Sequence, residues 1–252
     1  KLRLTDARTA TGPTEPDLME FRVDGICDVG DHYRRAPFTL PATISTSYTR
    51  LVHGTTLPED HDHVWVALLI NTGGHPEMWD LQELESDPGG EGILQLNDPA
   101  TGTTRTFRRV GRLFDETVGV FINHNRWAVW NFIHVASFGP AHPMHIHLTK
   151  FQALFRRSFT TTFDLPTGRT TAPLDGFIDI PLEKYEEGWK DTINVDRGQW
   201  VSVAGRFDGG TGEFMFHCHI LDHEDEGMMR PFVVHPPEVA KFHLHAGGGH
   251  HH

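Results

Sequence analysis

His217-Cys218-His219-Ile220-Leu221-Asp222-His223-Glu224-Asp225-Glu226-Gly227-Met228 is the stretch that decides how this chain is read. Cys218, His223 and Met228 follow one another at intervals of five residues and supply a thiolate, an imidazole and a thioether. Upstream, His142-Pro143-Met144-His145-Ile146-His147 adds another imidazole and a second His-x-His pair. Two histidines and a cysteine in a plane, with a weak axial methionine, are the ligand set of a blue-copper electron-transfer centre. The candidates are His142, Cys218 and His223 for the plane and Met228 above it.

The flanking histidines extend the argument. On a strand, successive side chains point to opposite faces. If Cys218 faces one metal, His217 and His219 face away from it together, and His145 and His147 share a face for the same reason. Four imidazoles then converge beside the thiolate centre, one peptide unit from Cys218 in either direction. Zinc competes for any Cys/His cluster. The axial position of Met228 and the number of histidines that a zinc site would leave unused favour copper.

Short β-rich runs at 64–70, 117–122, 127–135, 146–155, 177–180, 199–207 and 213–217 alternate with turn formers such as Asp208-Gly209-Gly210 and Phe138-Gly139-Pro140. Many short strands with Gly and Pro punctuation indicate an all-β sandwich or barrel. Residues 1–23 end in the apolar alternation Leu18-Met19-Glu20-Phe21-Arg22-Val23, which suggests edge strands of a preceding domain. The composition from 24 to 63 shifts to Gly, Pro, Asp, Thr and Arg without periodicity, as in a surface linker. Residues 64–240 form the main domain. The last segment, 241–252, ends Ala246-Gly247-Gly248-Gly249-His250-His251-His252 and looks like an expression tag, so its final histidines are left out of the metal count.

A net charge of −12, dispersed and without a basic run, excludes a nucleic-acid surface. No apolar stretch is long enough to span a bilayer, and no secretory signal precedes the first strand, so a soluble, non-membrane chain is expected. With Cys218 assigned to a metal, the second of the two cysteines, Cys27, is expected to be an ordinary thiol and no internal disulfide forms.

The motifs HPMHIH at 142–147 and HCHILDHEDEGMM at 217–229, with GWKDT at 188–192 as a weaker marker, resemble the multicopper oxidases, specifically their C-terminal cupredoxin domain. The wording is similar to the bacterial laccase-like branch with its spore-coat laccases, bilirubin oxidases and phenoxazinone synthases, and the likeness runs from about Val64 to His235. It implies a cupredoxin-like Greek-key β-sandwich or barrel, preceded by part of another cupredoxin domain. It also implies that His142, Cys218, His223 and Met228 hold a type 1 copper, His145 a type 2 copper, and His147, His217 and His219 the type 3 pair. Complete members add two His-x-His pairs from an N-terminal domain. The chain is read as lacking that domain and as carrying about half of the trinuclear cluster.

The resemblance implies one-electron oxidation of a small aromatic reducing substrate, phenolic or aminophenolic, near His223. Electrons pass through His217-Cys218-His219, and O₂ is reduced to water once the N-terminal portion of the same oxidase completes the cluster. Glu224 is the carboxylate that the resemblance suggests for proton relay, and Asp191 is a candidate to orient a histidine by a hydrogen bond. An envelope, spore-surface or extracellular location fits this family. An isolated type 1 electron-transfer cupredoxin is the alternative, and a zinc- or copper-storage module a second. Trp127, Trp130, Trp189 and Trp200 are read as core residues. His61-Asp62-His63 is read as part of an acidic loop of solvated histidines, with His53 and His75 as partners if the group binds an extra metal.

Overall fold

The computed structural model describes residues 2–5, 17–21 and 48–239, apart from 72, 99–100, 137–138, 165–168 and 173–175. Cys27, most of the expected linker and the tail from 240 onward lie outside the described residues. The chain divides into two compact units, Lys1–Tyr48 and Thr49–His252. In the first, β1 (Leu2–Thr5) pairs antiparallel with β2 (Asp17–Phe21).

The second unit is almost entirely β. Its strands are β3 (Asp62–Ile70), β4 (Pro76–Leu84), β5 (Ile93–Asp98), β6 (Thr103–Gly111), β7 (Val120–Asn123) and β8 (Trp127–His134). There follow β9 (His142–Ile146), β10 (Phe151–Ser158), β11 (Thr162–Asp164), β12 (Arg169–Ala172), β13 (Ile178–Ile180) and β14 (Thr192–Val195). The last three are β15 (Gln199–Arg206), β16 (Gly212–Cys218) and β17 (Met229–His235), with the short helix α1 (Leu221–Asp225) between β16 and β17. One sheet has ten strands in the order β11-β12-β5-β6-β4-β3-β8-β15-β10-β13, and the other five in the order β14-β9-β16-β17-β7.

Alternation explains how the two sheets meet. Val64, Val66 and Leu68 of β3, Ala128, Trp130 and Phe132 of β8, and Val201 and Val203 of β15 turn one face of the large sheet inward. They pack on Met144 and Ile146 of β9, Phe216 and Cys218 of β16, and Phe232 and Val234 of β17. Trp130 anchors this layer, with its ring edge-on to Phe216 and Phe232. The intervening residues Trp65, Ala67, Leu69, Trp79, Leu94 and Phe107 build a second core on the opposite face. Because β3 is buried on both sides, its sequence is a continuous apolar run after His63 and not an alternating one.

Several expectations change. Residues 49–63 do not behave as a linker, since Leu51 and Leu57 pack against Val129 and Ala204 in a third core. Asp62 and His63 belong to β3 and not to an acidic loop, because the Asp62 carboxylate is used structurally: it accepts the Asn123 backbone N–H at 3.1 Å and lies 3.6 Å from Arg126. The expected strand 146–155 is two strands, β9 and β10, separated by a turn in which Leu148 adopts φ +73°. Leu148 fits there because Gly209 faces it; a Cβ on that glycine would come within 2.9 Å of the Leu148 side chain. Trp189 is exposed and not in the core, as it lies on the irregular segment leading to β14.

The sheets are also pinned by a buried ion pair. Arg230 of β17 reaches Asp80 of β4, and both side chains have no exposure. The guanidinium passes close to Gly111 and Gly119, where a Cβ would collide with Arg230 or Asp80.

Candidate metal centres

The first centre forms where β9, β16 and the loop after β16 meet. His142 opens β9 and Cys218 closes β16, and the two strands are neighbours, with Cys218 opposite Met144. α1 turns the chain back so that His223 returns to the thiol. Gly227, at φ +112°, lets the chain leave the helix and re-enter β17. Met228 is fully buried, its N–H donates to the His223 carbonyl at 2.8 Å, and its carbonyl accepts the Cys218 N–H at 3.0 Å.

Cys218 Sγ lies 3.5 Å from His142 Nδ1 and 3.6 Å from His223 Nδ1, and the two nitrogens are 3.2 Å apart. A point equidistant from three atoms so spaced lies about 2.0 Å from each, close to the length of a metal–imidazole bond. Burial drives the electrostatics. It pushes His142 down to about 3, assisted by the neighbouring His134 and His223 rings, and raises the Cys218 thiol to about 11. His142 therefore offers a lone pair, whereas the sulfur keeps its proton until a cation displaces it.

The second centre lies on the other side of the same strand. His145, His147 and His217 each bring one donor atom within 4.8 Å of the others. His145 Nδ1 donates to the Asp191 carbonyl at 2.8 Å and lies 3.2 Å from Thr192 Oγ1, which leaves Nε2 for the cluster. His147 Nε2 and His217 Nε2 face each other at 3.1 Å. His217 Nδ1 is 3.1 Å from the Cys218 carbonyl and 3.3 Å from Glu224 Oε2. Partners of this kind fix a ligand's tautomer and orientation. The exposed His219 ring stands 5.5 Å from those of His145 and His217, at the rim of the group.

The flanks of Cys218 thus turn toward one imidazole cluster while its sulfur faces the other centre. Asp191 does hydrogen-bond a histidine, His145, and does so through its backbone carbonyl. Sequence reasoning missed His134, a buried residue at the end of β8 whose ring is 4.7 Å from that of His142. It is held down to about 4 by burial, against the effect of its contact with the Val195 carbonyl. Only its position opposite the strand that follows Asp196 signals it, and no spacing rule points there.

The multicopper oxidase family model matches residues 88–238. A laccase of Haloferax volcanii is 35% identical over 227 residues, covering 90% of this chain and 30% of the relative. A laccase of Bacillus subtilis is 32% identical over 133 residues, covering 47% of the chain and 25% of the relative. The crystal structure of a multi-copper oxidase from Pediococcus acidilactici aligns with TM-score 0.48 and 21% identity, over 81% of this chain and 31% of that one. The chain belongs to the multicopper oxidase family, and its second unit consists of two β-sheets packed on one another. It spans less than a third of the length of these relatives.

The family is one of copper-using oxidases, and copper is the metal that membership implies. The donor sets fit copper: a buried thiol with two imidazoles, and a separate all-imidazole group. No helix among the described residues is long and apolar enough to cross a membrane.

Proposed function

We propose that the chain is the C-terminal part of a laccase-like multicopper oxidase, acting on phenolic or aminophenolic substrates with O₂ as acceptor. His142, Cys218, His223 and Met228 would hold the type 1 copper, His145 the type 2 copper, and His147, His217 and His219 the type 3 pair. Copper bound at these places would supply one-electron acceptance from the substrate and, with the remaining cluster ligands, the four-electron reduction of O₂ to water. The N-terminal portion of the same oxidase would supply the remaining cluster ligands, with residues 1–23 belonging to a preceding cupredoxin domain.

The single observation that carries this reading is the two-faced strand end at Cys218. The sulfur joins His142 and His223 while the adjacent His217 joins His145 and His147, so the two centres are linked through one peptide unit. His223 is only partly buried, which would let its edge face the substrate. Glu224 Oε2, 3.3 Å from His217 Nδ1, is placed to hold and pass a proton beside the cluster. Met228 is fully buried in the same core cluster as Cys218. Met228 as a further ligand would give a bound copper a moderate potential, which suits electron-rich aromatic substrates.

Oxygen uptake tests the proposal. With an aminophenol, the copper-loaded chain should consume O₂ only after the N-terminal portion of the same oxidase is added, and its copper content should then rise by about three per chain. Absence of uptake in the combined, fully loaded protein would leave the isolated electron-transfer cupredoxin as the better reading.

A further inference from the structure

A third group of histidines lies outside both centres. His53 forms an isolated bridge with Leu57, His61 directly precedes β3, and His63 is the second residue of that strand. The His53 and His61 rings are 5.6 Å apart and the His61 and His63 rings 4.6 Å. The imidazoles of the two centres described above have similar spacing: 5.0 Å for His142 with His223, and 5.0 to 5.2 Å among His145, His147 and His217.

His61 is arranged as a metal-binding histidine usually is. Its Nδ1 lies 2.6 Å from the Pro58 carbonyl and donates to it, which fixes the tautomer and leaves a lone pair on Nε2. That Nε2 is buried without a hydrogen-bond partner among the described residues. A buried nitrogen that has lost water and found no donor is costly, and a cation would satisfy it. The nearby guanidinium groups do not oppose a cation, because Arg126 is paired with Asp60 and Asp62 and Arg105 with Glu83. Glu59 adds a carboxylate near Gly54, next to His53. A cleft of about 180 Å³ lined by His63, Trp65, Leu81 and Val120 opens beside the group and has room for water to complete a coordination shell.

We propose that His53, His61 and His63 form a third metal site that takes one Cu(II) ion. Three imidazoles without a thiolate suit a divalent transition metal, and Cu(II) stands highest among these for such a donor set. Unlike the other two groups, this one does not already bring its three donor atoms within 4.8 Å of one another. The exposed rings of His53 and His63 turn toward the fixed Nε2 of His61 to close the set. His75 is not part of it, being 3.3 Å from Glu226. β3 runs beside β8 with His63 opposite Val129 and Leu68 opposite His134, so the site is about 16 Å along the strand from the His134 end. Nothing in the oxidase reading requires this site.

The test uses the full chain, loaded with copper at the other centres, desalted, and titrated with Cu(II) against a competing chelator. The C-terminal histidines bind copper as well, so the readout is the difference from the His61→Gln/His63→Gln variant of the same chain. The site predicts about one Cu(II) fewer per double-variant chain and loss of an electron paramagnetic resonance signal with imidazole nitrogen couplings, with the visible band retained. His53→Gln, on an exposed bridge outside the sheets, should weaken the same binding event about tenfold or more. Equal uptake and an unchanged resonance signal in the double variant overturn the proposal. If the double variant does not fold, unchanged affinity in His53→Gln overturns it.

Discussion

Replacing Asp80 with alanine removes the carboxylate that pairs with Arg230 and leaves a guanidinium with no exposure and only the longer-range charge of Glu116 to offset it. In the native chain Arg230 Nε and Nη2 donate to Asp80 Oδ2 at 3.0 and 2.5 Å, Nη2 also donates to the Thr117 carbonyl at 2.8 Å, and Nη1 donates to the Leu113 carbonyl. The carbonyls remain after the substitution but cannot neutralise the charge. Breaking a buried pair from one side costs about 3–5 kcal/mol, a large part of the 5–15 kcal/mol typical of a whole domain. With a urea slope of about 3 kcal/mol per molar, the unfolding midpoint should fall by about 1 to 2 M. The measurement belongs on the metal-free chain, since bound metals disturb two-state unfolding. Asp80→Leu combined with Arg230→Met removes both charges and should recover most of the loss. A single-variant loss below about 1 kcal/mol, or a double variant as unstable as the sum of its parts, would refute the account of how the sheets are pinned. Arg230 is two residues from Met228, so the alanine variant should also loosen the thiolate centre.

Acid should destabilise the metal-free chain. His134 and His142 are held at about 4 and about 3, mainly by burial, so the folded state keeps both rings neutral where the unfolded chain takes up protons. Stability is then lost as pH falls from about 6.5 towards 4, by roughly 1.4 kcal/mol per pH unit for each ring. A urea midpoint that stays level across that window contradicts this. Glu224→Ala removes the carboxylate beside His217 Nδ1 and should lower copper affinity at the imidazole cluster about 10- to 100-fold, read by chelator competition, while the visible band of the thiolate centre persists. Equal affinity would show that Glu224 does not hold His217.

Much of the thiolate centre was legible because its chemistry is compressed into a short interval. Cys218, His223 and Met228 follow one another closely from the end of β16 to the start of β17, and strand alternation alone sends His217 away from the Cys218 sulfur. The all-β class was legible from punctuation by Gly and Pro. Less accessible was what long-range pairing decides. β4 and β6 carry polar residues that pair across the sheet, Arg105 with Glu83 and Arg108 with Gln82, which hides their strand character from hydropathy. The turn at Leu148 has no glycine of its own to announce it, since the space is provided by Gly209, far along the chain. Leu51 and Leu57 looked like linker residues because two apolar side chains among polar neighbours show no periodicity. The support for His145 comes from the Asp191 backbone, and a carbonyl has no sequence signature.

The visible absorption spectrum of the copper-loaded chain, taken beside that of Cys218→Ser, tests the central claim most directly. The account predicts an intense thiolate-to-copper charge-transfer band in the chain and its disappearance in the serine variant, with the circular dichroism of the β-sheets unchanged. A colourless copper-loaded chain, or a band that survives the substitution, would contradict it.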